Sequence, residues 1–250
     1  MPGGLLRVVQ SGALEPTLNM GLDEALLTDP DGPPTLRYYG WSPPGLSIGY
    51  FQTAKAFADV QQEHVLVRRL TGGGAIWHEY ELTLALTGPA DLLPSPVAAG
   101  YELLHEAVRK GLARSGVGGV TRLADAAPSL AARSREDWCF AVPAAPDLVT
   151  RTGRKLFGSA QRRIHRPVPR VLHHASLMTG PSRVTPFVGS LAELGTGAIL
   201  GHAIPVCIAE EVAAALGLRM RVGSLSAEEI ERGRTLARTR YADPAFTYAR

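Results

Sequence analysis

Cys139 and Lys155 are the two residues of this sequence whose types and spacing best suit covalent chemistry. Cys139-Phe140-Ala141-Val142-Pro143 is followed, after a short spacer, by Gly153-Arg154-Lys155-Leu156-Phe157-Gly158-Ser159-Ala160-Gln161. Cysteine reacts as the thiolate, and a nearby cation favours that form. The chain holds three lysines (Lys55, Lys110 and Lys155) against 23 arginines. A lysine kept where arginine is otherwise preferred suggests a need for a compact ammonium rather than a planar fork. Each residue also has an ordinary structural explanation. A single cysteine commonly packs as a small hydrophobe, and a strand lysine is usually solvated.

A second group of residues surrounds Arg68-Arg69-Leu70-Thr71-Gly72-Gly73-Gly74-Ala75-Ile76-Trp77-His78. Three glycines in succession let backbone N–H groups approach a ligand closely, because no Cβ intervenes. Such a turn holds a carbonyl oxygen or a phosphate, and the two arginines add charge. It is neither Gly-x-Gly-x-x-Gly nor a Walker A loop, and a triple glycine also serves as a plain flexible turn. Gly45-Leu46-Ser47-Ile48-Gly49 matches the nucleophile-elbow pattern, but that elbow needs a strand, a tight turn and a helix. Here Ser47 sits inside an apolar strand, so a serine hydrolase is disfavoured. His173 and His174 adjoin on a strand and must point to opposite faces, which argues against one shared metal. One is expected to face the pocket and the other to pack or be solvated. Cys207 reads as packing, and no metal site is expected.

The elements that would position these groups are legible from pattern. Strands are expected at Leu5–Gln10, Thr35–Tyr39, Leu46–Phe51, Val65–Leu70, Leu82–Thr87 and Val171–Met178. A hairpin is expected from Asp147–Val149 and Arg154–Phe157. Helices are expected over Asn19–Thr28, over Pro96–Ser115 after a Ser95 cap, over Val206–Leu216 and after the Ser226/Glu229 capping box. Residues 124–136 have weak periodicity and read as a mobile loop. The fold class is therefore α+β, with mixed, largely antiparallel β-sheets flanked by helices. Neither a repeat nor a linker divides residues 1–250 into more than one domain.

The two isolated cysteines form no Cys-x-x-Cys motif and suit a reducing compartment. The N-terminus lacks signal-peptide layout and no apolar run approaches a membrane span, so a cytoplasmic protein without membrane partners is expected. The net charge is only +3 despite a pI near 9.0. Scattered arginines indicate anionic partners such as acyl-carrier proteins or nucleotides, not nucleic acid.

Taken in order, the segments resemble the biotin/lipoate protein ligase catalytic-domain superfamily over nearly the whole chain. Asn19 to Leu27 resembles its N-terminal helix, and Arg37 to Trp41 and Leu46 to Gln52 its next strands. Arg68 to His78 resembles its lipoyl-pocket loop and Lys155 to Gln161 its lysine motif. His173 to Leu177 resembles a further motif, and Arg240 to Pro244 its closing segment. The resemblance implies a class II synthetase-like catalytic domain without a C-terminal accessory domain. Its implied substrate-binding residues are Arg68, Arg69, Gly72, Gly73, Gly74, Ala75, His78, Gly158, Ser159, Ala160 and His174.

Two activities of the superfamily compete. Cys-Phe-x-x-Pro before the lysine motif is similar to the LipM-type octanoyltransferases, and Glu81-Leu82-Thr83 also resembles them. That likeness implies transfer of octanoate from octanoyl-acyl-carrier protein, through a Cys139 thioester, to a lysine of a lipoyl-acceptor domain, with no cofactor. Lys155 and the glycine-loop N–H groups would stabilise the oxyanion, and the strands around Val67–Ala75 would line the acyl tunnel. The alternative is a lipoate–protein ligase using ATP and Mg, with Lys155 on an acyl-adenylate. A non-catalytic lipoyl-domain binding module is the third reading. Gly72-Gly73-Gly74-Ala75 is closer to the ligases. His78-Glu79 replaces the usual His-Asp, and Asp147 stands where the transferases usually carry a tyrosine–glutamate pair.

Overall fold

The computed structural model describes residues 4–125, 137–141, 143–195 and 203–249. An eight-stranded sheet is built from β1 (Leu5–Leu14), β2 (Thr35–Trp41), β6 (Glu81–Pro89), β7 (Val120–Arg122), β8 (Leu148–Thr150), β9 (Lys155–Ile164), β10 (Arg170–Met178) and β11 (Arg219–Gly223). Their spatial order is β11-β1-β2-β6-β10-β9-β8-β7. Only the β11/β1 and β1/β2 pairs are parallel. A smaller sheet, ordered β4-β3-β5, joins β3 (Gly45–Ile48), β4 (Val65–Arg68) and β5 (Ile76–His78). This is the mixed, largely antiparallel α+β architecture that the pattern predicts.

Strand alternation divides the large sheet into two faces. Leu36, Tyr38, Leu84, Leu86, Val171, Ala175 and Leu177 face the helices α3 (Val97–Arg114) and α4 (Ala203–Ala215), which supply Leu104, Val108, Leu112, Ile204, Ile208 and Val212 to the same core. On the opposite face, Tyr39, Trp41, Ala85 and Leu172 pack with Met20 and Leu27 of α1 (Pro16–Thr28) and with Val67 of the small sheet. The polar residues of α1 are spent inside this layer. Asn19 and Asp23 accept from the fully buried guanidinium of Arg37, the Asp23 bond being 2.8 Å long.

Several boundaries differ from pattern. The strand expected over Leu46–Phe51 ends at Ile48, because at Gly49 the backbone of Gly73 crosses against it. Pro96, with ψ 166°, itself takes the N-cap position, so α3 starts at Val97 and Ser95 does not cap it. The hairpin forms with Gly153 at φ +77°, but β9 continues to Ile164, well past the end of β8. The loop expected over 124–136 lies outside the described residues from 126 onward. α2 (Ala58–Gln61) and α6 (Pro244–Thr247) are short, and α5 (Ala227–Leu236) opens on the expected Ser226/Glu229 capping box. No helix among the described residues is long and apolar enough to cross a membrane.

His173 and His174 point to opposite faces as expected, but both are buried. His174 Nε2 meets the Tyr39 hydroxyl at 2.9 Å, and that hydroxyl donates to Asp23. Among the described residues neither ring nitrogen of His173 has a hydrogen-bond partner; it borders a small void lined by Leu36, Leu86, Leu104 and Phe157. Burial, with help from His105, pushes its pKa down to about 3. The unfolded chain therefore binds a proton here between that value and pH 6.5 while the native state does not. Stability falls on acidification through this window by about 1.4 kcal/mol per pH unit. His173→Leu should raise stability, and by about 2 kcal/mol more at pH 5 than at pH 8. Urea unfolding at both pH values checks this; equal gains at the two would defeat the linkage argument.

Candidate active site

Beyond Phe157, β9 has no strand on the side away from β10 among the described residues. A cavity of about 640 Å³ occupies that edge, between the glycine loop on one side and the start of α3 on the other. Cys139, Lys155, Asp147, Gly73, Gly74, Tyr101 and Ser159 contribute to its lining. The Cys139 Sγ lies 3.5 Å from Lys155 Nζ. The same ammonium donates to the Cys139 carbonyl at 3.1 Å and is paired with Asp147 Oδ2 at 2.8 Å.

Local backbone geometry explains the placement of both reactive groups. The chain before Cys139 pairs with the glycine loop: Ala75 N–H donates to the Asp137 carbonyl at 2.7 Å, and Cys139 N–H donates to the Ala75 carbonyl at 2.9 Å. A Cβ on Gly74 would stand 2.6 Å from the Cys139 nitrogen, so only glycine lets these two segments touch. Gly73, at φ +88°, turns the loop beside them. Lys155 folds back over Gly158, where a Cβ would come within 2.6 Å of its Nζ. Its side chain is 5% exposed, as is that of Asp147. Burial would push the Lys155 ammonium down, but the charges of Cys139 and Asp147 outweigh it and hold the pKa above the ordinary lysine value.

An ammonium has three donors, and here each has an acceptor: Asp147, the Cys139 carbonyl and the Cys139 sulfur. The oxyanion contact expected of Lys155 is therefore already occupied. The N–H groups of Gly73 and Gly74, by contrast, have no acceptor among the described residues. Asp147 is the residue sequence reasoning passed over. It was visible only as a departure from a tyrosine–glutamate pattern, yet it supplies the carboxylate beside Lys155. Its loop is fastened by His105, whose Nδ1 donates to the Pro146 carbonyl at 2.5 Å while its Nε2 accepts from Ser159 Oγ at 2.6 Å. Burial lowers the His105 pKa to about 4, so the ring is neutral and one tautomer serves both contacts.

The remaining residues singled out from sequence divide into two groups. Gly158, Ser159, Ala160, Arg69 and His174 border a very small void behind Cys139. Gly72 lies beneath the exposed Phe51 ring. Arg68 is buried away from the cavity, where its guanidinium donates to the carbonyls of Gly49, Tyr50, Gln52 and Thr247. It ties α6 to the turn after β3. His78 is also buried, with Glu81 and Ser47 as partners. Among the described residues, no three His, Cys, Asp or Glu side chains converge as a metal site.

A thiol and an ammonium in contact, beside a glycine loop with unpaired N–H groups, form an arrangement suited to acyl transfer, carried on a ligase-type mixed sheet. The sequence model of the lipoyl protein ligase A/B catalytic domain matches residues 15–198, and the chain belongs to that family. It is 32% identical to octanoyltransferase LipM of Kyrpidia tusciae, covering 95% of this chain and 96% of that protein. It is 35% identical to octanoyltransferase LipM of Bacillus subtilis over 69% of this chain and 64% of the other. Among solved structures, lipoate-protein ligase A bound with ATP superposes with a TM-score of 0.75 at 17% identity, covering 99% of both chains. A chain from the structural analysis of a bi-partite lipoate protein ligase and its E2 lipoyl domain from Thermoplasma acidophilum gives 0.69 at 17% identity, covering 99% of this chain and 96% of that one. At such identity the structural likeness is one of fold.

Proposed function

We propose that the protein is an octanoyltransferase, moving octanoate from octanoyl-acyl-carrier protein through a thioester on Cys139 to a lysine of a lipoyl-acceptor domain. The observation that carries this reading is the 3.5 Å contact between Cys139 Sγ and Lys155 Nζ in the lining of the cavity. The names of the relatives, octanoyltransferase LipM, agree with it. A lipoate ligase would also employ Lys155 but would leave that contact without a purpose.

In the first half-reaction the thiolate attacks the donor thioester carbonyl, a new C–S bond forms, and the carbonyl electrons move onto oxygen. Collapse of that oxyanion breaks the donor C–S bond, and the carrier's thiolate takes a proton from solvent. In the second half-reaction an acceptor lysine, as the free amine, attacks the acyl-enzyme. The amide C–N bond forms, the Cys139 C–S bond breaks, and the amine nitrogen gives up its excess proton. Asp147, which lines the cavity beside Lys155, is the carboxylate placed to receive it. Splitting the transfer in two is the usual advantage of a covalent nucleophile. Thioester exchange is nearly neutral and amide formation runs downhill, so ATP has no step to drive.

Intact-mass spectrometry tests the reading. Incubation with octanoyl-acyl-carrier protein and no ATP should add one octanoyl group to the parent chain and none to Cys139→Ala. An acceptor domain added afterwards should discharge it. No adduct on the parent, together with acceptor modification only when lipoate and ATP are supplied, would replace the transferase with the ligase.

A further inference from the structure

Behind the glycine loop lies a chain of side chains that the reaction scheme leaves unused, beginning at the serine of the Gly-x-Ser-x-Gly segment. Glu81 Oε1 meets His78 Nδ1 at 2.9 Å, His78 Nε2 meets Ser47 Oγ at 2.8 Å, and Arg69 Nη1 reaches Ser47 Oγ at 3.2 Å. Arg69 Nη2 then donates to the carbonyls of Gly72 and Gly74, each at 2.7 Å.

These bonds run in one direction only. A carboxylate accepts, so His78 carries its proton on Nδ1 and offers the Nε2 lone pair. The Ser47 hydroxyl must donate to that lone pair, which leaves its oxygen to accept from arginine. Ser–His–Glu contacts of this kind belong in form to a hydrolase. Here Ser47 is fully buried and has a guanidinium on its oxygen. No attack can start from it. The chain is further fixed at its far end: Thr83 Oγ1 donates to Glu81 Oε1 at 2.5 Å, Trp41 Nε1 donates to Thr83 Oγ1 at 2.8 Å, and the Trp41 ring stacks on His78 at 3.7 Å and 13°. Burial keeps the His78 pKa low, with Glu81 opposing, which agrees with a neutral ring.

We propose that Ser47, His78 and Glu81 are positioning residues: through Arg69 they fix the Gly72 and Gly74 carbonyls, and so aim the unpaired N–H groups of Gly73 and Gly74 at the oxyanion of the acyl-transfer step. The proposal rests on the acyl-transfer reading of Cys139 and adds the machinery that holds its oxyanion site. Arg69 cannot swing to meet a substrate, because both terminal nitrogens are engaged with Ser47, Gly72 and Gly74. Its service is to the loop.

Two reactions of the same thiol separate this role from general loosening. Acylation passes through an oxyanion, whereas alkylation by iodoacetamide does not. Ser47→Ala should lower the rate of acyl-enzyme formation from S-octanoyl-N-acetylcysteamine by on the order of tenfold or more. KM for that thioester, the alkylation rate and the pH profile of alkylation should stay at the parent values. His78→Gln, which keeps one donor and one acceptor, should retain much of the rate. His78→Phe, which keeps only the stack on Trp41, should not. Parallel losses in both reactions, or no loss in acylation, would overturn the brace. A parent enzyme acylated by the small thioester but not by octanoyl-acyl-carrier protein would sink the donor assignment and leave the brace intact. A parent acylated by no thioester would overturn both.

Discussion

Lys155→Met should lose acyl-enzyme formation by about a thousandfold and lose about 3–5 kcal/mol of stability as well. The two losses have different origins. The ammonium sits 3.5 Å from the thiol sulfur and supplies the countercharge that the nucleophilic thiolate needs. It is also the cation paired at 2.8 Å with Asp147, a carboxylate whose side chain is only 5% exposed. Methionine fills a similar volume but strands that carboxylate, and an unpaired buried charge is costly. Lys155→Met/Asp147→Leu should therefore recover most of the stability and none of the activity. Lys155→Arg is not a rescue, because the lysine folds tightly over Gly158 and a longer planar fork has no room to do so. Rapid-quench acylation and urea unfolding of the four proteins read the two effects apart. Acylation persisting within tenfold of the parent in either methionine variant would remove Lys155 from the chemistry.

The sequence made Cys139, Lys155 and the glycine loop visible because each is a local departure from the habits of this chain: a rare thiol, a rare lysine and a run without side chains. The fold class was legible for a similar reason, since strand alternation and capping signals are local. What stayed hidden depends on contacts distant in sequence. Asp147 looks like any loop carboxylate until the hairpin turns Lys155 back beside it. His78 and Glu81 are three residues apart, but Ser47 is about thirty residues away and only sheet pairing brings it to them, Ser47 opposite Ile76 and Gly45 opposite His78. Arg68 and Arg69 illustrate the limit most directly. Adjacent and chemically identical, both suggested substrate contact, yet strand alternation sends one to the α6 carbonyls and the other to the glycine loop. No composition or spacing rule distinguishes those two destinations.

Gly158→Ala should leave stability within about 1 kcal/mol of the parent while lowering acyl-enzyme formation by on the order of a hundredfold. Gly158 does not adopt a positive φ, so alanine fits its strand conformation. The added methyl would instead stand 2.6 Å from Lys155 Nζ and 3.3 Å from Asp147 Oδ1. The end of a flexible side chain can yield at little energetic cost, and that is why the fold survives while the ammonium moves. Displacing it withdraws the countercharge from Cys139, so iodoacetamide alkylation near neutral pH should slow together with acylation. That shared loss separates this variant from Ser47→Ala, in which only the oxyanion step suffers. Gly158→Ala with parental rates in both reactions would mean that the ammonium is not held where the chemistry requires it. If acylation fell while alkylation did not, Lys155 would be acting on the oxyanion after all, and its three resting contacts would have to open during the reaction.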